Sequence, residues 1–377
     1  MRQAGGADTR MEPRPRPGLT LASGEYRLYP RTSRRRSAAA RQQPEEVGLA
    51  ERVLVTGGAG YVGSVCCERL LGLGYEVAIY DNLSTGHSEA VPEGAVFQPG
   101  DLADRKRLAE VFGIFKPDFV MHFAANALAG ESYENPLLYY RNNIANGLNL
   151  IETMITSGAR SIIFSSSCAV YGEPGRVPIT EDELKQPINP YGKTKLAFEN
   201  LLDDCGQAYG LRSVCLRYFN AAGATACRGE DHDPETHIIP NVLKVALGLA
   251  PEVGVFGDDY PTADGTCVRD YVHIEDLAQA HEQAIGLLKC GLSERLNLGN
   301  GDGFSVMQVI KVSEKISGKR VPFRVSPRRK GDPAVLVASS AKAKQVLGWQ
   351  PRYPTLDPIV ESAWRWHREH PHGYKSR

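Results

Sequence analysis

One short stretch limits what this chain can fold into more than any other. Val53-Leu54-Val55-Thr56 is a β-branched run that leads into Gly57-Gly58-Ala59-Gly60-Tyr61-Val62-Gly63, and a helical apolar pattern follows through Leu70 and Leu71. Glycines at this spacing between a strand and a helix let the backbone turn tightly and approach a pyrophosphate, whose charge is met by amides at the helix N-terminus. Glu76 to Tyr80 reads as the next strand, with Asp81 at its end, 18 residues beyond Gly63. A carboxylate there accepts both hydroxyls of an adenosine ribose and repels a 2′-phosphate, which predicts NAD over NADP. A second acid, Asp101, follows the third predicted strand (95–97), where the adenine ring should fall.

The rhythm continues: helix 103–115, strand 119–123, helix 136–157, strand 161–164 ending in Ser165-Ser166-Ser167, helix 191–209 and strand 213–217. Alternation of this kind predicts an α/β fold, a doubly wound parallel Rossmann-type sheet whose ligands sit beyond the carboxyl ends of its strands. After Asn220 the pattern loosens into Gly-, Pro- and Asp-rich sequence, then short strands and helices. We therefore expect a Rossmann domain over 51–222 and a smaller C-terminal α/β substrate-binding domain over 223–377, with 269–298 returning to the first.

Composition narrows the classes. The 44 basic and 44 acidic residues balance, against a nucleic-acid wrapper or an acidic disordered chain, and no apolar run is long enough for a membrane span. A soluble globular protein is expected, with neither nucleic acid nor membrane as partner. Residues 1–50 differ from the rest, with 10 Arg, no Lys and five acids. They lack apolar periodicity and a secretory h-region and read as disordered. An over-extended start with Met11 as a later start, an organelle transit peptide and an interaction arm all fit them. Eight cysteines without C-x-x-C spacing read as reduced core residues. Asp231-His232-Asp233 with Glu235 and His237 reads as a polar loop, so no metal is expected. His367, His370 and His372 read as a solvated tail.

Tyr191 and Lys195 lie four residues apart on a predicted helix, hence on one face. A phenol with a reference pKa of ~10 becomes a base at neutral pH only beside positive charge, which Lys195 and an oxidised nicotinamide both supply. Ser167, ending a sheet strand, places a hydroxyl at the same edge.

These segments together resemble the extended short-chain dehydrogenase/reductase family and, within it, the UDP-glucose 4-epimerases, over about residues 52–370. The carriers are T-G-G-A-G-Y-V-G (56–63), D-N-L-S (81–84), H-F-A-A (122–125), G-E-S (130–132), S-S-S-C-A-V-Y-G (165–172), N-P-Y-G-K-T-K (189–195), R-Y-F-N-A-A-G (217–223), D-G-T-C-V-R-D-Y (264–271) and R-R-K-G-D-P (328–333). The last three are the most specific. The resemblance implies a catalytic group of Ser167, Tyr191 and Lys195. It implies NAD contacts from Gly57, Gly60, Tyr61, Val62, Gly63, Asp81, Asn82, Asp101, Leu102, Phe123, Ala124, Asn142 and Phe219. For the UDP-sugar it implies Asn220, Phe256, Arg269, Arg329 and Asp332, with Leu336 lining the sugar pocket. A cytoplasmic homodimer is implied as well.

Departures also inform. Ala127 stands where the family often has a lysine toward the nicotinamide ribose, and His237-Ile238 where some members have asparagines toward the substrate. Related dehydratases and decarboxylases place an acid just after the strand-end Ser/Thr; Cys168 and Ala169 stand here, leaving no evident carboxylate for elimination. The expected reaction is interconversion of UDP-glucose and UDP-galactose. The rivals are a UDP-xylose/UDP-arabinose 4-epimerase, since A-W-R-W-H (363–367) resembles pentose epimerases, and a nucleotide-sensing protein without turnover.

Overall fold

The computed structural model describes residues 50–329 and 331–374; the N-terminal extension and Lys330 lie outside them. In its first half, strands β1 (Arg52–Thr56), β2 (Glu76–Asp81), β3 (Val96–Pro99) and β4 (Phe119–His122) alternate with helices α1 (Tyr61–Gly72) and α2 (Arg105–Phe115). Short helices α3 (Ala129–Glu134) and α4 (Pro136–Tyr139) lead to α5 (Gly147–Ser157), strand β5 (Ser161–Ser167), helix α6 (Pro190–Tyr209) and strand β6 (Arg212–Tyr218). Then come β7 (Asn220–Ala222), α7 (Ile238–Ala246), β8 (Val253–Phe256), β9 (Val268–Arg269), β10 (Tyr271–His273), α8 (Ile274–Lys289) and β11 (Glu294–Leu298). The chain closes with β12 (Phe304–Ser305), α9 (Val306–Ser317), β13 (Phe323–Ser326), β14 (Val335–Leu336), α10 (Ala341–Leu347) and α11 (Leu356–Glu369).

Seven strands form one parallel sheet in the order β11-β6-β5-β4-β1-β2-β3. This is the doubly wound Rossmann-type fold that the strand–helix rhythm predicts. Alternate residues of each strand face opposite layers. Val53 and Val55 pack into one core with α1 and α8, while Leu54 joins Tyr80, Phe164 and Phe198 in the other, beside α2, α5 and α6. Both faces are covered, so the strands read as continuous apolar runs. Strand order reverses between β1 and β4, which opens a crevice at their carboxyl ends. A third apolar cluster gathers α7, α9, α11 and β8.

Local chemistry places the ends of these elements. Asn189 caps α6, its Oδ1 accepting from Gly192 N at 2.7 Å, Pro190 supplies the preset first turn, and Gly210 closes the helix at φ 69°. Ser305 and Gln308 form a reciprocal capping box on α9.

Two expectations change. The helix expected over 136–157 is interrupted by a π-helical segment, Tyr140–Asn146, which widens the turn carrying Asn142 and Asn143; such widened turns gather at functional sites. Strand β5 ends in the three serines as expected, since all seven of its residues are buried and need the ladder to satisfy their backbone. The C-terminal histidines are not all solvated: His367 is buried at 6% exposure, and His370 stacks on Trp366 with ring centroids 4.8 Å apart. The amphipathic α11 turns them inward, and only His372 stays exposed.

Candidate active site

The glycine turn sits against the end of β4. Gly57 adopts φ +75°, and a Cβ there would stand 2.5 Å from Ala124 N; one on Gly63 would stand 2.3 Å from the Gly57 carbonyl oxygen. Only glycine fits either place, so backbone alone lines the crevice in front of α1. Gly60 caps α1 without a side-chain partner, leaving the first-turn amides facing outward. Tyr61 donates its hydroxyl to the Gly223 carbonyl at 2.6 Å, and Val62 packs partly buried on the first core. Asp81 is buried at the end of β2, where Oδ2 accepts from Ala59 N at 2.9 Å and Oδ1 from Leu83 N at 2.8 Å. Each oxygen keeps a further lone pair for a ribose hydroxyl. Asn82 donates to Asp101 Oδ2 at 2.7 Å. Leu102 is buried in the second core, and Phe123 and Ala124 hang from the Thr56 carbonyl at 2.8 and 3.1 Å. This set suits a dinucleotide: an anion cradle of backbone amides, then a carboxylate for the ribose.

At the other end of the crevice, α6 carries Tyr191 and Lys195 past the end of β5. Lys195 is buried at 3% exposure and donates to the Ser165 carbonyl at 2.8 Å, its ammonium 5.7 Å from the centre of the Tyr191 ring. Ser167 is buried and accepts from Ala169 N at 3.2 Å. Burial pushes the Tyr191 phenol up to about 12, against a downward pull from the Ser167 hydroxyl and with a small upward push from Cys168. Burial also brings Lys195 down to about 7, opposed by Glu199. Lys195 is expected to depress Tyr191, yet burial dominates here and leaves the phenol above its ordinary value, so it ionises only when further positive charge stands beside it. Asn142 donates to Asn126 Oδ1 at 3.0 Å, and Asn143 ties the widened turn to Thr194 Oγ1 at 3.0 Å.

Sequence reasoning missed what holds this group from behind. Glu199 accepts from Ser166 Oγ at 2.5 Å and from Arg217 through Nε at 2.9 Å and Nη2 at 2.5 Å. Arg217 donates onward to Tyr171 OH at 3.0 Å, and that hydroxyl donates to Asn297 Oδ1 at 2.7 Å. Burial opposes the Arg217 charge, yet the Glu199 carboxylate holds its pKa above the ordinary value. A signal was present: Tyr191, Lys195 and Glu199 recur every four residues, hence on one helical face.

The substrate-side residues come from distant segments. Asn220, Phe256, Arg269, Arg329 and Asp332 line one cavity of about 970 Å³, together with Ala127 and His237. Arg269 is buried and ion-paired with Asp332, while Arg329 lies over the Phe256 ring at 4.0 Å. Phe219 and Leu336 sit apart from that lining, packed together with Cys168 and Tyr171; β14 pairs with β9, setting Leu336 opposite Arg269. Residues 231–237 form the expected polar loop, and Glu230, His232, Glu235 and His237 converge there.

The chain is similar to known proteins over most of its length. The NAD dependent epimerase/dehydratase family model matches residues 53–299. A UDP-glucose 4-epimerase of Halalkalibacterium halodurans is 51% identical over 327 residues, covering 86% of this chain and 98% of that protein. The crystal structure of UDP-glucose 4-epimerase from Brucella ovis in complex with NAD superposes with a TM-score of 0.81 at 47% identity, covering 84% of this chain and 98% of that one. The enzyme from Bifidobacterium longum in complex with NAD+ and UDP gives 0.81 at 38% identity, covering 85% and 99%. The chain belongs to the UDP-glucose 4-epimerases of the NAD-dependent epimerase/dehydratase family.

Proposed function

We propose that the protein interconverts UDP-glucose and UDP-galactose on NAD, with Ser167, Tyr191 and Lys195 as its catalytic group. The observation that carries this reading is one juxtaposition. Tyr191 and Lys195 stand with Ser167 at the carboxyl edge of the sheet, and Arg269 and Arg329 line a cavity of the nucleotide-sized class. NAD, bound in the crevice, would supply the hydride-accepting and hydride-donating chemistry that inversion at sugar C4 requires. Tyr191 takes the proton of the 4-hydroxyl and returns it. Ser167 hydrogen-bonds the 4-oxygen and relays that proton, and Lys195 contributes charge beside the phenol. Gly57, Gly60, Tyr61, Val62, Gly63, Asp81, Asn82, Asp101, Leu102, Phe123, Ala124, Asn142 and Phe219 hold the cofactor. Asn220, Phe256, Arg269, Arg329 and Asp332 anchor UDP while the keto sugar turns.

In this reading 51–222 with 269–298 forms the cofactor domain, from which Asn220 and Arg269 reach the sugar nucleotide held by the rest of 223–377. The working form is a cytoplasmic homodimer: Leu137, Leu138, Tyr140 and Leu148 expose apolar surface along one helical run, which a second copy would cover, and light scattering of the purified chain tests that mass. No helix among the described residues is long and apolar enough to cross a membrane. The test of function is incubation of the purified chain with UDP-sugars without added NAD. Conversion of UDP-glucose to UDP-galactose is expected. Conversion of UDP-xylose alone would replace the hexose reading, and nucleotide release on denaturation without any turnover would replace catalysis by binding.

A further inference from the structure

Four side chains outside the reaction just described converge between the glycine turn and the substrate cavity. His237 Nδ1 lies 2.8 Å from Glu230 Oε1 and 3.0 Å from Glu235 Oε1, and His232 Nδ1 lies 3.4 Å from Glu230 Oε1 and 3.6 Å from Glu235 Oε2. One donor atom from each residue falls within 4.8 Å of all the others. Four ligands at ~2.0–2.1 Å around a tetrahedral ion stand ~3.4 Å from one another. The set therefore reaches ligand spacing through small side-chain adjustments. Glu230 is buried at 5% exposure, and His232 Nδ1 is buried without a hydrogen-bond partner while facing both carboxylates.

We propose that Glu230, His232, Glu235 and His237 form a binding site for a single divalent cation of the zinc class. Two imidazole nitrogens beside two carboxylates suit zinc and its transition-metal neighbours, whereas calcium and magnesium select sites built from oxygen alone. One dication also neutralises both carboxylates, which otherwise pair, among the described residues, only with the two imidazoles. The site's place in the fold gives it a structural role. The Tyr61 ring meets the His232 ring edge-on at 6.2 Å, and His237 immediately precedes the first residue of α7. An ion here ties the first residue of the cofactor helix α1 to the cavity wall formed by Glu230, Glu235 and His237. Sequence spacing hid the site because its donors lie in an irregular loop, not on one helical face.

The experiment uses the full chain, stripped with chelator, dialysed and exposed to zinc chloride, with bound metal measured after gel filtration. About one zinc per chain is expected in the native protein, falling below about a tenth in H232A/H237A, because each ligand contributes to affinity. Cobalt(II) in place of zinc should give the intense visible bands of four-coordinate geometry. That spectrum decides the matter in the native chain should the double variant fail to fold. Native protein that retains less than a tenth of an equivalent, equal uptake by a folded variant, or only the weak bands of six-coordinate cobalt would each overturn the site.

Discussion

Arg217 and Arg329 carry the same guanidinium into two differently built regions. Arg217 is 4% exposed, and its carboxylate partner Glu199 2%. Every contact it makes is internal, through Glu199 and Tyr171. Arg329 is exposed at the cavity, stacked on Phe256. The first region is a closed network that holds the strand end and α6 in place. The second presents charge to a ligand. A buried pair costs a great deal to break from one side, because the remaining charge stays desolvated, whereas an exposed guanidinium acts mainly when an anion arrives.

The sharpest way to break this contrast lies at the reacting end. Tyr191→Phe should cut turnover by at least ~10³-fold, within the range for a lost general base, while denaturation still releases the same amount of NAD. A variant keeping more than a tenth of native turnover would remove Tyr191 from that role. Glu199→Ala comes next and should destabilise the fold by ~3–5 kcal/mol, leaving Arg217 buried and uncompensated. Lys315→Ala, at the exposed Lys315–Asp357 pair of 2.5 Å, should leave the thermal midpoint unmoved. Equal midpoints for the two variants would show that burial is not what separates the regions.

Arg329→Ala should raise KM for the UDP-sugar ~10–100-fold, as expected on losing a charged contact worth ~1.5–3 kcal/mol. Its kcat and melting temperature should hardly change. A fall in stability without a KM effect would place Arg329 in the fold and not in the cavity. Lys195→Ala addresses charge at the buried end. Without Lys195 the phenol has one less source of positive charge in the loaded site, so the kcat optimum should move to higher pH. A pH–rate profile superposing on the native one would contradict this. The smallest effect belongs to Leu336. Leu336→Ala should shift kcat/KM toward UDP-N-acetylglucosamine and Leu336→Tyr away from it, each by ~1–3 kcal/mol of discrimination. An unchanged ratio in both would remove Leu336 as a gate.

The two regions differ equally in how much of them the sequence discloses. The parallel sheet, its glycine turn and the pairing of Tyr191 with Lys195 follow from patterns inside single segments: β-branched runs, glycines at fixed offsets, four-residue helical spacing. The widened turn Tyr140–Asn146 was not legible, since its residues are as compatible with an ordinary helix, and the hydrogen bond from Asn143 to Thr194 is made by another element. Arg217 reads as one more charge in a strand until Glu199 is found opposite it. The desolvation that drives Tyr191 up and Lys195 down depends on walls contributed by β5, α6 and their neighbours.

By itself the sequence determined the doubly wound sheet, the crevice at its strand ends and the family, because period, turn chemistry and contiguous motifs are local properties. Only tertiary structure decided which charges are neutralised internally and which face the cavity. Arg217 meets Glu199 across 18 residues, Arg269 meets Asp332 across 63, and the two glutamates and two histidines of the 230–237 loop close up under Tyr61. Electrostatic energy depends on distance and on exclusion of water, and folding sets both.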